Sequence, residues 1–162
     1  MFFPAANEGN KCIFITSAGS LIQTSWDDLS GFTSDIIALP WLGLVYNSAF
    51  SHCGSFLAAV SPVDCTLTLY NMRTMTVVQK LFSRQGPGVS HFLAFSSDGT
   101  TLVVKNDCNE IRICEVHDLN ISRRLGQDHT RTVTRTLAVA FDPSGQFLAS
   151  AGQDHNVRLW TL

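Results

Sequence analysis

An excess of charge of one sign, paired cysteines and long apolar runs are all missing from this chain. Eleven Lys and Arg stand against 13 Asp and Glu, a net charge of -2. They are mixed along the sequence, so the basic footprint that nucleic-acid binding requires is missing. The five cysteines, Cys12, Cys53, Cys65, Cys108 and Cys114, are odd in number and none forms a C-x-x-C pair. That argues against a disulfide framework or a zinc clip and for small buried thiols in a reducing interior. No stretch approaches the roughly 20 apolar residues of a membrane helix. The opening MFFPAANEGNKCIFIT has neither the basic start nor the apolar core of a secretory signal. The expected setting is the cytosol or nucleus, with no membrane, nucleic acid, metal or cofactor. A helical period of 3.6 sustained over ten or more residues is also missing.

What the chain does have is repetition. Its 162 residues, 45% of them hydrophobic, suffice for one packed domain. The stretches NSAFSHCGSFLAAV, FLAFSSDGTTLVV and AVAFDPSGQFLAS share an Ala-Phe or closely similar start, a polar turn centred on Gly, and a short apolar run. Their phenylalanines, Phe50, Phe95 and Phe141, are 45 and 46 apart. A second marker follows in each: Tyr70, Cys114 and Trp160. Stepping back 44 residues from Tyr70 reaches Trp26, which suggests a further unit with Phe3 in the Phe position. A period in this range decides architecture before any local reading. Four units are expected, at about 1–40, 41–84, 85–127 and 128–162.

Within each unit the runs are short, β-branched or aromatic, and bounded by Gly, Pro, Asn, Asp and Ser, the pattern of strands joined by tight turns. FLAAV, LVV and FLAS are apolar on both faces, so these strands need a layer on each side. A radial stack of small sheets supplies that. Strands are predicted near 1–4, 11–16, 20–26 and 33–39; 45–50, 55–60, 65–70 and 76–82; 90–95, 101–105, 110–116 and 121–125; and 136–141, 146–150 and 156–161.

VAFDPSGQFLASAGQDHNVRLW, the earlier GQDH and the Trp26-Asp27 pair resemble the WD-repeat β-propeller family, whose repeats of about 40 to 45 residues end in Trp-Asp and carry Gly-His near their start. The resemblance implies an all-β fold of four-stranded antiparallel blades. About four blades are expected, the last without its outer strand, making an incomplete or open propeller. The departures are that the other units read Tyr70-Asn71, Cys114-Glu115 and Trp160-Thr161, and that Asp128-His129 stands where Gly-His is usual.

The resemblance also implies a hydrogen-bonded chain in the last unit. Trp160 donates to Ser150, Ser150 meets the His129 ring, and the other ring nitrogen meets Asp154. Unpaired, each of these groups would incur a desolvation cost of a few kcal/mol on burial. The same letters could spell a Ser-His-Asp hydrolase. Ser150, however, sits inside an apolar strand without the strained, exposed turn of a nucleophile. A metal site from Asp128, His129, Asp154 and His155 is disfavoured because the two GQDH copies fall on different loops. His155 is expected as an exposed turn residue.

Two loops invite a partner. PWLGLVY carries Trp41 and Leu42, offset by the expectation that Leu44 onward is already buried strand and that Trp41 packs between blades. HTRTVTR places Arg131 and Arg135 where an acidic peptide could be received. Family analogy implies a non-enzymatic protein-interaction scaffold, a fragment or isoform of a larger propeller. The alternatives are a rim reader of acidic or modified peptides and, less favoured, a hydrolase using Ser150. Self-association through open propeller edges is a further expectation.

Overall fold

The computed structural model describes residues 3–4, 11–27, 31–38, 43–63, 66–82, 92–105, 111–125 and 136–162. These form strands only, with no helix among them, in four antiparallel sheets. The first sheet is β1 (Phe3–Pro4), β2 (Lys11–Ile15), β3 (Ser20–Asp27) and β4 (Gly31–Ala38). The second is β5 (Asn47–Phe50), β6 (Phe56–Val60), β7 (Thr66–Asn71) and β8 (Thr76–Phe82). The third is β9 (Phe92–Phe95), β10 (Thr101–Lys105), β11 (Ile111–Glu115) and β12 (Ile121–Leu125). The last holds β13 (Thr136–Phe141), β14 (Phe147–Gly152) and β15 (Val157–Thr161). Each is a meander in chain order, so every pairing closes over a short loop. The strands follow the sequence expectation closely, because turn residues bound nearly every apolar run.

The glycine-centred turns repeat one geometry. The N–H groups of Ser51, Ser96 and Asp142 donate across to the carbonyls of Phe56, Thr101 and Phe147, at 2.9, 2.9 and 3.0 Å. Gly54, Gly99 and Gly145 take φ of 69, 73 and 73°, the left-handed region that a side chain disfavours. Side chains lock the turns further. The carboxyls of Asp98 and Asp142 are held below the usual carboxylate range, chiefly by the Ser96 and Ser144 hydroxyls respectively. Ser97 Oγ donates to the Pro143 carbonyl at 2.8 Å, tying the third sheet's turn to the fourth's.

Register converts the repeat into a stack. In the last three sheets the marker residues form one cross-strand row: Phe50–Leu57–Tyr70, Phe95–Leu102–Cys114 and Phe141–Leu148–Trp160. Each row packs toward the preceding sheet. Phe50, Leu57 and Tyr70 share a cluster with Leu21 and Ile15 of the first sheet. Leu102 and Cys114 meet Ala58, Val60, Leu67 and Leu69, and Leu148, Phe141 and Trp160 meet Val103, Ile111 and Ile113. Successive residues of β6 and β10 therefore serve opposite junctions, Leu57 backward and Ala58 forward, Leu102 backward and Val103 forward. This is why those strands are apolar on both faces.

The first sheet departs from the expected repeat. Phe3 lies opposite Ile13, and Ile13 opposite Gln23, not Trp26. Spacing from Tyr70 to Trp26 therefore did not carry Phe3 into the row that Phe50, Phe95 and Phe141 occupy. A period of 44 residues counts loop residues along with strand residues, and a few more between β1 and β2 offset by as many fewer between β2 and β3 move the register without disturbing the period.

Candidate functional site

Ser150 lies on β14 facing the third sheet, 1% exposed, at the position filled by Ala59 and Val104 in the two preceding sheets. It pairs directly with Arg158 and sits diagonally from Trp160 on the same face, within reach of a long side chain. The Trp160 Nε1–H donates to Ser150 Oγ at 2.9 Å. A polar atom thus replaces an apolar one only where an indole N–H needs an acceptor, since the earlier sheets carry Tyr70 and Cys114 opposite their leucines.

Asp154 occupies the turn between β14 and β15. Its Oδ2 accepts from Arg158 Nη1 at 2.6 Å, and Oδ1 accepts from the Asn156 backbone N–H at 3.2 Å. The Arg158–Asp154 pair is largely covered, with 27% and 17% of the two side chains exposed, so the charge-assisted bond is stronger than a surface pair. Residue types alone did not single out Arg158; its place on the inward face of β15, four residues after Asp154, was the available signal. His155 is exposed, at φ 60°. The structure thus brings Ser150 to Trp160 and Asp154 to Arg158. His129 and Asp128 lie outside the described residues, as do Trp41, Leu42, Arg131 and Arg135.

Near the loop that precedes β5 the structure corrects one expectation. Leu44 and Tyr46 are exposed, and the strand starts only at Asn47. The Val45 N–H donates to the Ser17 carbonyl and that of Tyr46 to the Val60 carbonyl. These bonds tether the loop to the β2–β3 turn and to the end of β6 and leave Leu44 and Tyr46 outward. Val63, in the β6–β7 turn, is also exposed. Leu44 and Val63 flank a cavity of about 250 Å³ whose wall includes Thr66, Thr68, Tyr70 and Lys80. A second, wider cleft of about 640 Å³ runs along β5, β9 and β13 and is lined by Phe50, Phe95 and Phe141, with His52 and Asp142 contributing polar edges.

Two cysteines contrast sharply. Cys53 is exposed, and hydrogen bonds from Ser55 and Ser51 lower its pKa. Cys114 is fully buried, and desolvation pushes its thiol up to about 11. Since the thiolate is the reactive form, iodoacetamide at neutral pH should alkylate Cys53 readily and leave Cys114 untouched until the chain is unfolded. Peptide mass spectrometry reads the two sites separately. Modification of native Cys114 at a rate similar to Cys53 would contradict the packed junction between the second and third sheets.

Among the described residues no helix is long and apolar enough to cross a membrane, and no three His, Cys, Asp or Glu side chains converge as metal ligands. The family model described as "WD domain, G-beta repeat" matches residues 122–161, the segment holding the Ser150–Trp160 bond. Over 154 residues, 94% of this chain, the sequence is 25% identical to WD repeat-containing protein 1 of Xenopus tropicalis and to WD repeat-containing protein 1-A of Xenopus laevis. It is 29% identical over 113 residues, 68% of this chain and 18% of the relative, to WD repeat-containing protein 1 of Bos taurus. The chain spans about a quarter of the length of the Xenopus relatives it matches. With antiparallel sheets stacked at a repeat of 45 and 46 residues, and the last of them matching the family's own repeat, the chain is similar to WD-repeat proteins over 94% of its length.

Proposed function

We propose that this chain is a non-enzymatic protein-interaction scaffold, part of a larger WD-repeat propeller, and that it receives an extended peptide at the rim formed by the loop before β5 and the β6–β7 turn. The observation that carries this reading is the exposed trio Leu44, Tyr46 and Val63. Solitary exposed apolar residues are ordinary. Leu44 and Val63, however, flank a single cavity whose wall combines Val45, Ala59 and Val60 with Thr66, Thr68, Tyr70 and Lys80, and apolar anchors beside placed polar groups are a usual form of recognition pocket. Lys80 favours a carboxylate or phosphate beside the anchor, which gives the acidic or modified peptide reader its support. Trp41, Leu42, Arg131 and Arg135 are proposed as further contacts on the same rim. His129 is proposed to complete the Ser150, Asp154 and Trp160 network as a structural element.

Against a hydrolase stands the position of Ser150, buried between sheets with its oxygen accepting from an indole. A nucleophile needs an exposed hydroxyl. The contrast between the two described thiols and an odd number of cysteines with none in a C-x-x-C pair favour the cytosol or nucleus as its location. An array of acidic and phosphorylated peptides with aliphatic anchors tests the proposal. Leu44→Asp and Val63→Asp should each reduce retention at least tenfold without changing the melting temperature, and Lys80→Glu should remove the preference for acidic peptides. Equal binding by all three variants would refute the rim site, and labelling of Ser150 by a fluorophosphonate probe would revive the hydrolase.

A further inference from the structure

We propose that the cavity beside the loop before β5 takes the phosphate of a phosphorylated serine or threonine in the bound peptide, in preference to the carboxylate of an aspartate or glutamate. This deepens the rim reading and rests on it.

The cavity arises from one difference within the repeat. Thr68 lies opposite Ala59, on the face that the second sheet turns to the first. The same cross-strand position holds Arg112 in the third sheet, opposite Val104, and Arg158 in the fourth, opposite Ser150. Threonine is several atoms shorter than arginine. Beside the small Ala59 it leaves a space of about 250 Å³ against the loop residues Gly43, Leu44 and Val45.

The fourth sheet shows what this position binds. There Asp154, in the turn between β14 and β15, brings its carboxylate to Arg158 Nη1 at 2.6 Å. In the second sheet the matching turn, between β6 and β7, presents the apolar and exposed Val63. The cation is Lys80, directly opposite Thr68, and among the described residues it has no ion pair. The fourth sheet supplies its own anion, and the second leaves the charge to be met from outside.

The donors select the shape of that anion. Thr66, Thr68 and Tyr70 alternate along β7 and therefore share one face. They line the cavity with Lys80 and are only 3, 7 and 2% exposed. The Thr68 and Tyr70 hydroxyls are hydrogen-bonded to each other, which orders that end of the row. The guanidinium of Arg158 is a planar fork that suits the planar carboxylate of Asp154. A row of hydroxyls with an ammonium, a compact point charge, has no such plane. A carboxylate offers two oxygens, whereas a phosphate spreads three acceptor oxygens and a charge of about −1.5 to −2, so it meets the strand hydroxyls and Lys80 together. Leu44 and Val63 then hold an aliphatic neighbour in the peptide.

Fluorescence anisotropy reads the choice, with peptide triplets that place phosphothreonine, glutamate or threonine beside one aliphatic residue. The phosphothreonine member should bind at least tenfold more tightly than the glutamate member. Lys80→Met and Thr68→Val should each remove most of that ratio at an unchanged melting temperature, while Lys80→Arg, which retains the charge, should keep it. Leu44→Ser, which deletes the anchor without adding charge, should weaken all three members by a similar factor. Inorganic phosphate should displace the phosphopeptide only at millimolar concentration. Triplets that do not bind, or a Leu44→Ser variant that binds as wild type, would sink the rim reading and this proposal with it. Equal binding of glutamate and phosphothreonine, or a ratio that Lys80→Met and Thr68→Val leave intact, would overturn the phosphate assignment and spare the rim. Displacement by micromolar inorganic phosphate would make this a site for the free anion and overturn it as well.

Discussion

Replacing Leu102 by Ala should lower the unfolding free energy by about 3 kcal/mol, the middle of the range for a buried leucine truncated in a core that cannot collapse around the gap. Leu102 is fully buried at the centre of the Phe95–Leu102–Cys114 row, packed against the second sheet. Neighbouring Val103 serves the opposite junction, so β10 is held from both sides and has little freedom to move into the space a methyl side chain leaves. The comparison that gives the result its meaning is Leu159→Ala. It removes the same atoms from a side chain 70% exposed and should shift stability by no more than about 0.5 kcal/mol. Urea unfolding reads both, the midpoint moving for Leu102→Ala with the slope unchanged. Equal costs for the two leucines would mean that the sheets are not stacked in the order the junctions require.

Ser150→Ala should cost about 2 kcal/mol, more than a net hydrogen bond, because it leaves the Trp160 indole N–H without its acceptor inside a covered junction. Trp160→Phe removes the donor and keeps most of the apolar bulk, so in that background the loss of the hydroxyl should matter much less. The double-mutant cycle should return a coupling of about 1 kcal/mol. Additive single-site costs would show that the 2.9 Å contact contributes nothing beyond packing. Ser150 is at the position of Ala59 and Val104, so alanine there is sterically at home. The cost is therefore that of a missing acceptor, with little contribution from a cavity.

Much of this was legible in advance for a definite reason. Strand limits followed from turn chemistry: the Gly at the centre of each polar turn is required by a left-handed backbone angle, and that requirement is local. The Ser150–Trp160 contact was implied by the resemblance to WD-repeat proteins, and the structure makes it because the short turn between β14 and β15 brings residues ten apart onto one face. Arg158 was not legible, because an arginine in a strand reads as a surface residue until the strand's inward face is known. Leu44 and Tyr46 were misjudged for the complementary reason. Apolar residues just before a strand look like its beginning, and only the bonds that tether Val45 to Ser17 and Tyr46 to Val60 turn those two side chains outward.

The sequence by itself determined the all-β architecture, the approximate place of each strand, the repeat and the apolar character of both strand faces, because periodicity and turn residues act over a few positions along the chain. Only the tertiary structure decided which face meets which neighbour, and that Phe3 falls outside the row shared by the other three phenylalanines. Those depend on register and on contacts between sheets, where a shift of one residue exchanges the two faces of a strand and leaves its composition the same.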